Sequence, residues 1–231
     1  IAELTAQFGL DQPLWKQLLL YIGNVFQGNL GESFADQIPV SQMLWTRMKV
    51  TLMLVLPSEI LAICIGTLLG LIAAKHENKI QDHLISNASI VLYCMPTFWL
   101  GMMLMLLFAV NLKWLPTSGM QSFNTDLSPF WDTLRHMVLP SLTLILVRIP
   151  TYLKLARSSI VEVAQEDFIN TARAIGYSER IVYRKHALRN ALLPTVTQVG
   201  MSISSLFSGA LLTETVFSWP GMGRMVYDAI S

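Results

Sequence analysis

The two charges that sit deepest in apolar sequence are Glu59 and Arg148. At bilayer depth such groups face a bundle interior or a water-filled path, so both are candidates for lining a translocation path. A position at the end of a span, or mutual pairing between helices, would account for them equally. A carboxylate among broken helices also suits a proton-coupled secondary transporter. Other chemistries lack their parts. There is no HExxH pattern, and His76, His83, His136 and His186 fall at the ends of apolar runs or in loops, so neither a catalytic set nor a metal set is assigned. Cys64 and Cys94 lie inside apolar runs and are expected to be small buried hydrophobes. No GxxxxGK[ST] phosphate loop is present; "GNLGES" from Gly28 lacks both its spacing and its lysine.

Positive charge is instead concentrated in one connection. Lys154, Arg157, Arg173, Arg180, Arg184, Lys185 and Arg189 are seven of the sixteen basic residues in the chain. Around them the sequence is apolar: 53% of the 231 residues are hydrophobic and 13% charged, against roughly 25% charged in ordinary soluble domains. That is a membrane composition. The net charge of +1 gives the chain no nucleic-acid-binding character.

A bilayer core takes about 20 mostly apolar helical residues. Four runs qualify as spans, at about 50–74, 84–112, 137–153 and 190–213, the third being the shortest and containing Arg148. Pro57, Pro96 and Pro194 are expected to kink these helices without breaking them. Gly66 and Gly70 form a GxxxG pair suited to close helix packing. The expected fold is an all-α polytopic bundle in contact with membrane lipid.

Lys and Arg near span ends set orientation, which makes the 154–189 loop cytoplasmic and the 111–136 connection external. Arg47 and Lys49 then fall outside, two charges against seven. Four spans leave both ends outside, and residues 1–49 become an extracytoplasmic segment with no signal peptide to export it. The expectation is a further helix upstream of Ile1, with room for another after Ser231.

Within the basic loop, Val161, Ala164, Phe168, Ala172 and Ile175 recur at helical spacing while Glu162, Glu166, Asn170 and Arg173 point elsewhere. Gly176 is the residue type that follows a helix end, and Ser178 can cap a second helix bearing Ile181, Ala187, Leu188 and Leu192. The loop is therefore expected to be a helix, turn, helix unit. Such a unit could lie on anionic lipid or dock, through its apolar stripe and small Ala172 to Gly176 patch, in a protein groove.

The stretch "EDFINTARAIGYSERIVYRKHALRNALLP" from Glu166 resembles the signature loop of ABC-importer permeases of the dipeptide, oligopeptide and nickel branch. "FGLDQPLWKQ" from Phe8, "GNLGESF" from Gly28, "MPTFWLG" from Met95, "LKWLPTSG" from Leu112, "HMVLPSLTL" from His136 and "TETVFSWPGMGR" from Thr213 resemble the same branch, in order and across nearly the whole chain. The resemblance implies a type I permease fold whose loop docks in a cleft of an ATP-hydrolysing subunit.

Asn170, Thr171, Ala172 and Gly176 occupy the loop's signature positions, with Asn170 where the general pattern has an acid. Glu166, Asp167 and Arg173 are the candidates for its polar contact, with Ala174, Arg184 and Arg189 completing the coupling set. The resemblance also implies a homologous second permease, two cytoplasmic ATPase subunits that bind ATP and Mg, and an extracytoplasmic solute-binding protein. This chain would then be a non-enzymatic subunit in a bacterial inner membrane, importing dipeptides or oligopeptides, with nickel, metal chelates, glutathione and oligosaccharides as alternatives. Glu214, Trp219, Pro220 and Gly221 are candidates for an outer gate or binding-protein docking element, or for an interfacial tryptophan and turn. Trp99 and Trp114 fit interface anchors.

Overall fold

The computed structural model describes residues 12–33, 36–122, 126–178 and 181–230, without the side chains of residues 184–186 and 203–209. The chain divides into two compact units, residues 1–49 and 50–231. Phe8 to Asp11 and Phe34 of the two N-terminal motifs, and Glu179 and Arg180 of the basic loop, lie outside the described residues.

In the first unit, helix α1 (Leu14–Phe26) follows Pro13 and leads to a turn in which Gly28 and Gly31 both take φ of 78°. Ser33 N–H donates to the Ile38 carbonyl and Val40 N–H to that of Gly31, closing a small bridge between Glu32 and Pro39. Among the described residues this is the only extended pairing.

The remaining elements are helical. They are α2 (Val40–Lys75), whose residues up to Lys49 belong to the first unit, α3 (Ile80–Cys94), α4 (Thr97–Leu104) with a π-helical extension through Asn111, and α5 (Pro129–Val163). In the basic loop come α6 (Asp167–Ala174), a π-helical segment (Val182–Ala187) and α7 (Leu188–Ala191); α8 (Leu193–Val216) and α9 (Met222–Ile230) complete the order. By length and composition α2 and α5 can each cross a bilayer.

The run expected as a single span at 84–112 is interrupted. The helices on either side of Met95 and Pro96 are bent by 103°. Proline has no N–H to continue the ladder, and its ring drives the preceding residue into extended backbone. Met95 accordingly takes φ −77°, ψ 128°. Pro57 stays inside α2 and Pro194 opens α8, as tolerated prolines do. The span expected at 137–153 belongs to a longer helix, α5, that keeps Pro140 and Pro150 in its interior and runs well beyond both expected ends.

The second unit is organised by the crossing of α2 on α5. A Cβ on Gly66 would lie 2.8 Å from Tyr152 Cβ and 2.9 Å from the Ile149 carbonyl oxygen; one on Gly70 would lie 2.6 Å from the Leu153 carbonyl oxygen and 2.9 Å from Ala156 Cβ. The helices therefore touch backbone to backbone. Ala62, Ile145, Ile149, Tyr152 and Leu153 form the buried cluster beside the contact, with Ile85 of α3 and Val199 of α8 packed against it. The exterior stays apolar, with Ile60, Leu68, Ile90 and Val91 exposed, as a lipid-facing surface requires. Cys64 and Cys94 are free and lie on this exposed surface, which corrects the expectation of burial.

Because the atoms facing Gly70 are backbone and a β-carbon fixed to it, the crossing has no way to yield. Gly70→Ala should destabilise the folded protein by about 1–3 kcal/mol, the usual cost of overpacking, read as a lowered Tm in detergent.

Candidate functional site

Glu59 on α2 is only 7% exposed, and its carboxylate is met from two sides by α5. The Tyr152 hydroxyl donates to Oε1, and Arg148 Nε lies 3.5 Å from Oε2. The Tyr152 oxygen is also 3.3 Å from Ser202 Oγ on α8. Glu59 and Arg148 are paired with each other, one of the arrangements expected for them. A carboxylate removed from water is tolerated when a charge and hydrogen bonds replace the water. Arg148 keeps part of its side chain accessible, so the cluster joins three helices and still reaches a surface.

A second buried carboxylate organises the segment from Thr213 to Arg224. Glu214 has no exposed surface. Its Oε2 accepts from the backbone N–H groups of Gly223 at 2.7 Å and Arg224 at 3.2 Å; its Oε1 accepts from Thr51 Oγ1 at 2.6 Å. Thr51 Oγ1 in turn accepts the Met222 N–H at 2.8 Å. The three N–H groups that open α9 are thus all satisfied, and negative charge sits at a helix N-terminus where the dipole favours it. Gly221 is required because a Cβ there would lie 2.1 Å from Glu214 Oε1. Trp219 is likewise fully buried and donates its indole N–H to the Val50 carbonyl at 3.2 Å.

Glu214 and Trp219 therefore present no surface to a docking protein, and Trp219 is no interfacial anchor. With Pro220 and Gly221, which follow Trp219, they form the knot that fixes α9 against α2. Trp99 and Trp114, by contrast, are exposed. A neighbouring clasp went unread in the sequence: Asp132 in the first turn of α5 accepts from Ser122 N–H at 2.6 Å and Ser122 Oγ at 3.2 Å, pinning the preceding connection.

At the basic-loop end, α5 stops at Val163, so the stretch from Val161 to Ile175 is not one helix. After a turn, Glu166 takes the N-cap position of α6, and Asp167 places a negative charge in its first turn. The end of α6 closes as a Schellman motif: Gly176 N–H donates to the Arg173 carbonyl at 2.9 Å and Tyr177 N–H to that of Ala172 at 3.2 Å. Gly176 takes φ of +96°, with nothing within 4 Å of a Cβ built on it. Backbone conformation, not space, calls for glycine there. The carbonyl of Ser178 then accepts from Ile181 and Val182 to start the next segment.

The face that holds this unit differs from the expected stripe. Ile169 and Ala172 are buried with Val182 and Ala187, whereas Phe168 and Ile175 point outward, 41% and 69% exposed. Ala172 is thus spent on internal packing and is not part of an outer docking patch. Glu166, Asp167, Asn170, Thr171, Arg173, Ala174, Gly176 and Arg189 remain exposed; the Arg184 side chain lies outside the described set. The unit therefore shows solvent an apolar patch of Phe168, Ile175, Tyr177 and Ile181, fringed by both signs of charge. No group of three or more metal-ligating side chains occurs among the described residues.

Residues 66–231 match the family described as binding-protein-dependent transport system inner membrane component. The chain belongs to that family. Its relatives include the di/tripeptide transport system permease protein DppB of Pseudomonas aeruginosa, 40% identical over all of this chain and 74% of the relative. The oligopeptide transport system permease protein AppB of Bacillus subtilis is 37% identical over 98% of this chain and 72% of its own length. The glutathione transport system permease protein GsiC of Salmonella typhimurium is 40% identical over all of this chain and 72% of its own length. A crystal structure of an amino acid ABC transporter with histidines shares the fold, with a TM-score of 0.55 at 17% identity over 83% of this chain and 78% of that one.

In this permease the ion pair best defined by geometry was visible to the sequence only as one basic residue among seven. Asp82, 2% exposed in the first turn of α3 and ahead of the long apolar run, receives Arg157 Nε at 2.6 Å and a second guanidinium nitrogen at 2.7 Å. The Asn78 N–H and the Ser86 hydroxyl complete its shell at 3.0 and 3.2 Å. The Arg157 guanidinium holds the Asp82 carboxyl well below the usual carboxylate range. No spacing rule joins residues so far apart in sequence.

Two outcomes follow for the permease. Glu214→Ala orphans two N–H groups and a hydroxyl, each costing about 1–3 kcal/mol, so Tm should fall sharply, and Glu214→Gln should fall less because it still accepts. Asp82 has its pKa depressed by folding, so its stabilisation is complete above the unfolded value of about 3.9 and is lost only as pH falls through the lower folded one. Tm scans between pH 5 and 8 should therefore differ between native and Asp82→Asn proteins by a constant amount.

Proposed function

We propose that this permease forms half of the translocation pathway of an ATP-driven importer for short peptides, and that its basic loop is the element on which ATP hydrolysis acts. The observation that carries this reading is the outward apolar patch of Phe168, Ile175, Tyr177 and Ile181 on a loop anchored by Ile169 and Ala172. A small helix fixed by its inner face and apolar on its outer face suits a groove in another protein. The loop's basic residues suit the cytoplasmic side of the inner membrane.

On this reading the partners are two cytoplasmic ATPase subunits that bind ATP and Mg, a homologous second permease and an extracytoplasmic solute-binding protein. The peptide assignment draws on relatives whose names specify dipeptide, di/tripeptide and oligopeptide transport. Glutathione, itself a small peptide, is the second reading, supported by an equally identical relative named for it. Coupling requires two packings of the transporter that differ by a few kcal/mol, with nucleotide and loaded binding protein biasing the choice.

The test is ATPase activity of the co-expressed complex, with and without peptide-loaded binding protein. Gly176→Pro removes the N–H bonded to Arg173 and imposes a φ of about −65° where +96° is needed. The complex should assemble natively, and the substitution should abolish the stimulation by binding protein. Absence of co-purifying ATPase, or a variant with full stimulation and import, would turn the assignment toward a proton-coupled carrier.

A further inference from the structure

The loop must move something inside the membrane, and the helices it could move are not held alike. The α2 and α5 helices are joined by the backbone contacts at Gly66 and Gly70 and by the Glu59, Tyr152 and Arg148 cluster. The α3 helix is held differently. Among the described residues, its hydrogen bonds to α5 are the two from Arg157 to Asp82, with Ile85 packed beside them. Further along, Ser89, Ile90 and Tyr93 of α3 stand across a groove of about 360 Å³ from Pro150, Thr151 and Lys154 of α5. The same helix ends at the 103° break at Met95 and Pro96. It packs along α5, is joined to it by the fork at one end, borders the groove further along and is jointed at the other end.

The fork sits close to the moving part. Arg157 lies on the last turns of α5, the helix that leads directly into the loop. The loop is packed onto those turns through Ile160, Val161 and Val163, which share a cluster with Ala74, Ala191 and Tyr183. A displacement of the loop is therefore carried to Arg157 by packed side chains and to Asp82 by two parallel hydrogen bonds, a geometry that transmits direction as well as distance.

We propose that the Asp82 and Arg157 pair is the pivot through which motion of the basic loop is passed to α3, so that these are positioning residues for transport. The inference rests on the reading of the loop as the ATPase-coupling element. Arg157 acts on the peptide path only through α3. The groove gives α3 room to swing, and the break at Pro96 lets it do so without dragging α4. Lysine, a point charge lacking the planar fork, would keep the attraction and lose the direction.

The experiment uses the complete transporter in vesicles, with dipeptide-loaded binding protein, carrying Asp82→Asn, Arg157→Lys or the exchange Asp82→Arg with Arg157→Asp. Peptide imported per ATP hydrolysed is the readout, because a merely structural defect lowers the yield of complex and leaves that ratio alone. Each single variant should assemble and hydrolyse ATP with the ratio reduced about tenfold, within the range of a coupling energy of 1–3 kcal/mol. The exchanged pair should recover part of it. A native ratio in Asp82→Asn, a loss confined to yield, or an exchange that assembles and recovers nothing would each overturn the pivot. Gly176→Pro separates the two levels: if it uncouples and Asp82→Asn does not, only the pivot fails, whereas if it has no effect the coupling reading fails first.

Discussion

Two helix backbones in contact leave no room for adjustment, and the second unit of this permease is built around such a contact. Where α2 crosses α5 at Gly66 and Gly70, the facing atoms are carbonyl oxygens, peptide nitrogens and β-carbons. In lipid there is no hydrophobic gain from bringing two apolar helices together, so close van der Waals packing between small residues must supply the attraction. The crossing also fixes where larger groups meet. Glu59 stands two turns before Gly66 on α2, and Tyr152 and Arg148 flank the opposing stretch of α5, so the crossing delivers the carboxylate to its partners.

Four carboxylates are nearly or wholly withdrawn from solvent; Asp132 pins the connection before α5, and the other three tie helices together, each made tolerable in a different way. Glu59 is met by a hydroxyl and a guanidinium, Asp82 by a guanidinium fork with one N–H and one hydroxyl, and Glu214 by the opening N–H groups of a helix and a threonine. In each case the partners include elements remote in the chain, which is where a buried charge contributes specificity: few alternative packings would satisfy it. Two of these ties stiffen the pairing of α2 with its neighbours. The third lies at the loop end and holds the helix that has room to move.

Much of the architecture was legible in the sequence, and what was missed has common causes. Apolar runs located the helices because lipid demands them, and Gly176 marked the end of α6 because few other residues take its φ. Glu59 and Arg148 stood out because charge is rare at that depth. The break at Pro96 was read as a kink: a proline inside a long apolar run looks the same whether or not neighbours restore its lost bond. The inward face of α6 was misread because helical spacing gives a face but not which of two apolar faces the chain itself covers. Tyr152, Asp82 and Thr51 were invisible as partners, since their contacts join residues 93, 75 and 163 positions apart. The segment around Glu214 was noticed for its aromatic and glycines, yet those serve burial.

The source of driving force can be argued from the same geometry. A carrier that uses a proton gradient needs a carboxylate that exchanges its proton with both sides and changes partners as it does so. Glu59 has Tyr152 on one oxygen and Arg148 on the other, an arrangement that ties together the helices it joins. Beside its groove stands α3, and the turns of α5 that hold Asp82 lead into a folded loop with exposed apolar residues. Under the proposed function, a protein docked on that loop would reach α3 through the Asp82 and Arg157 pair while the Gly66 and Gly70 crossing holds α2 on α5.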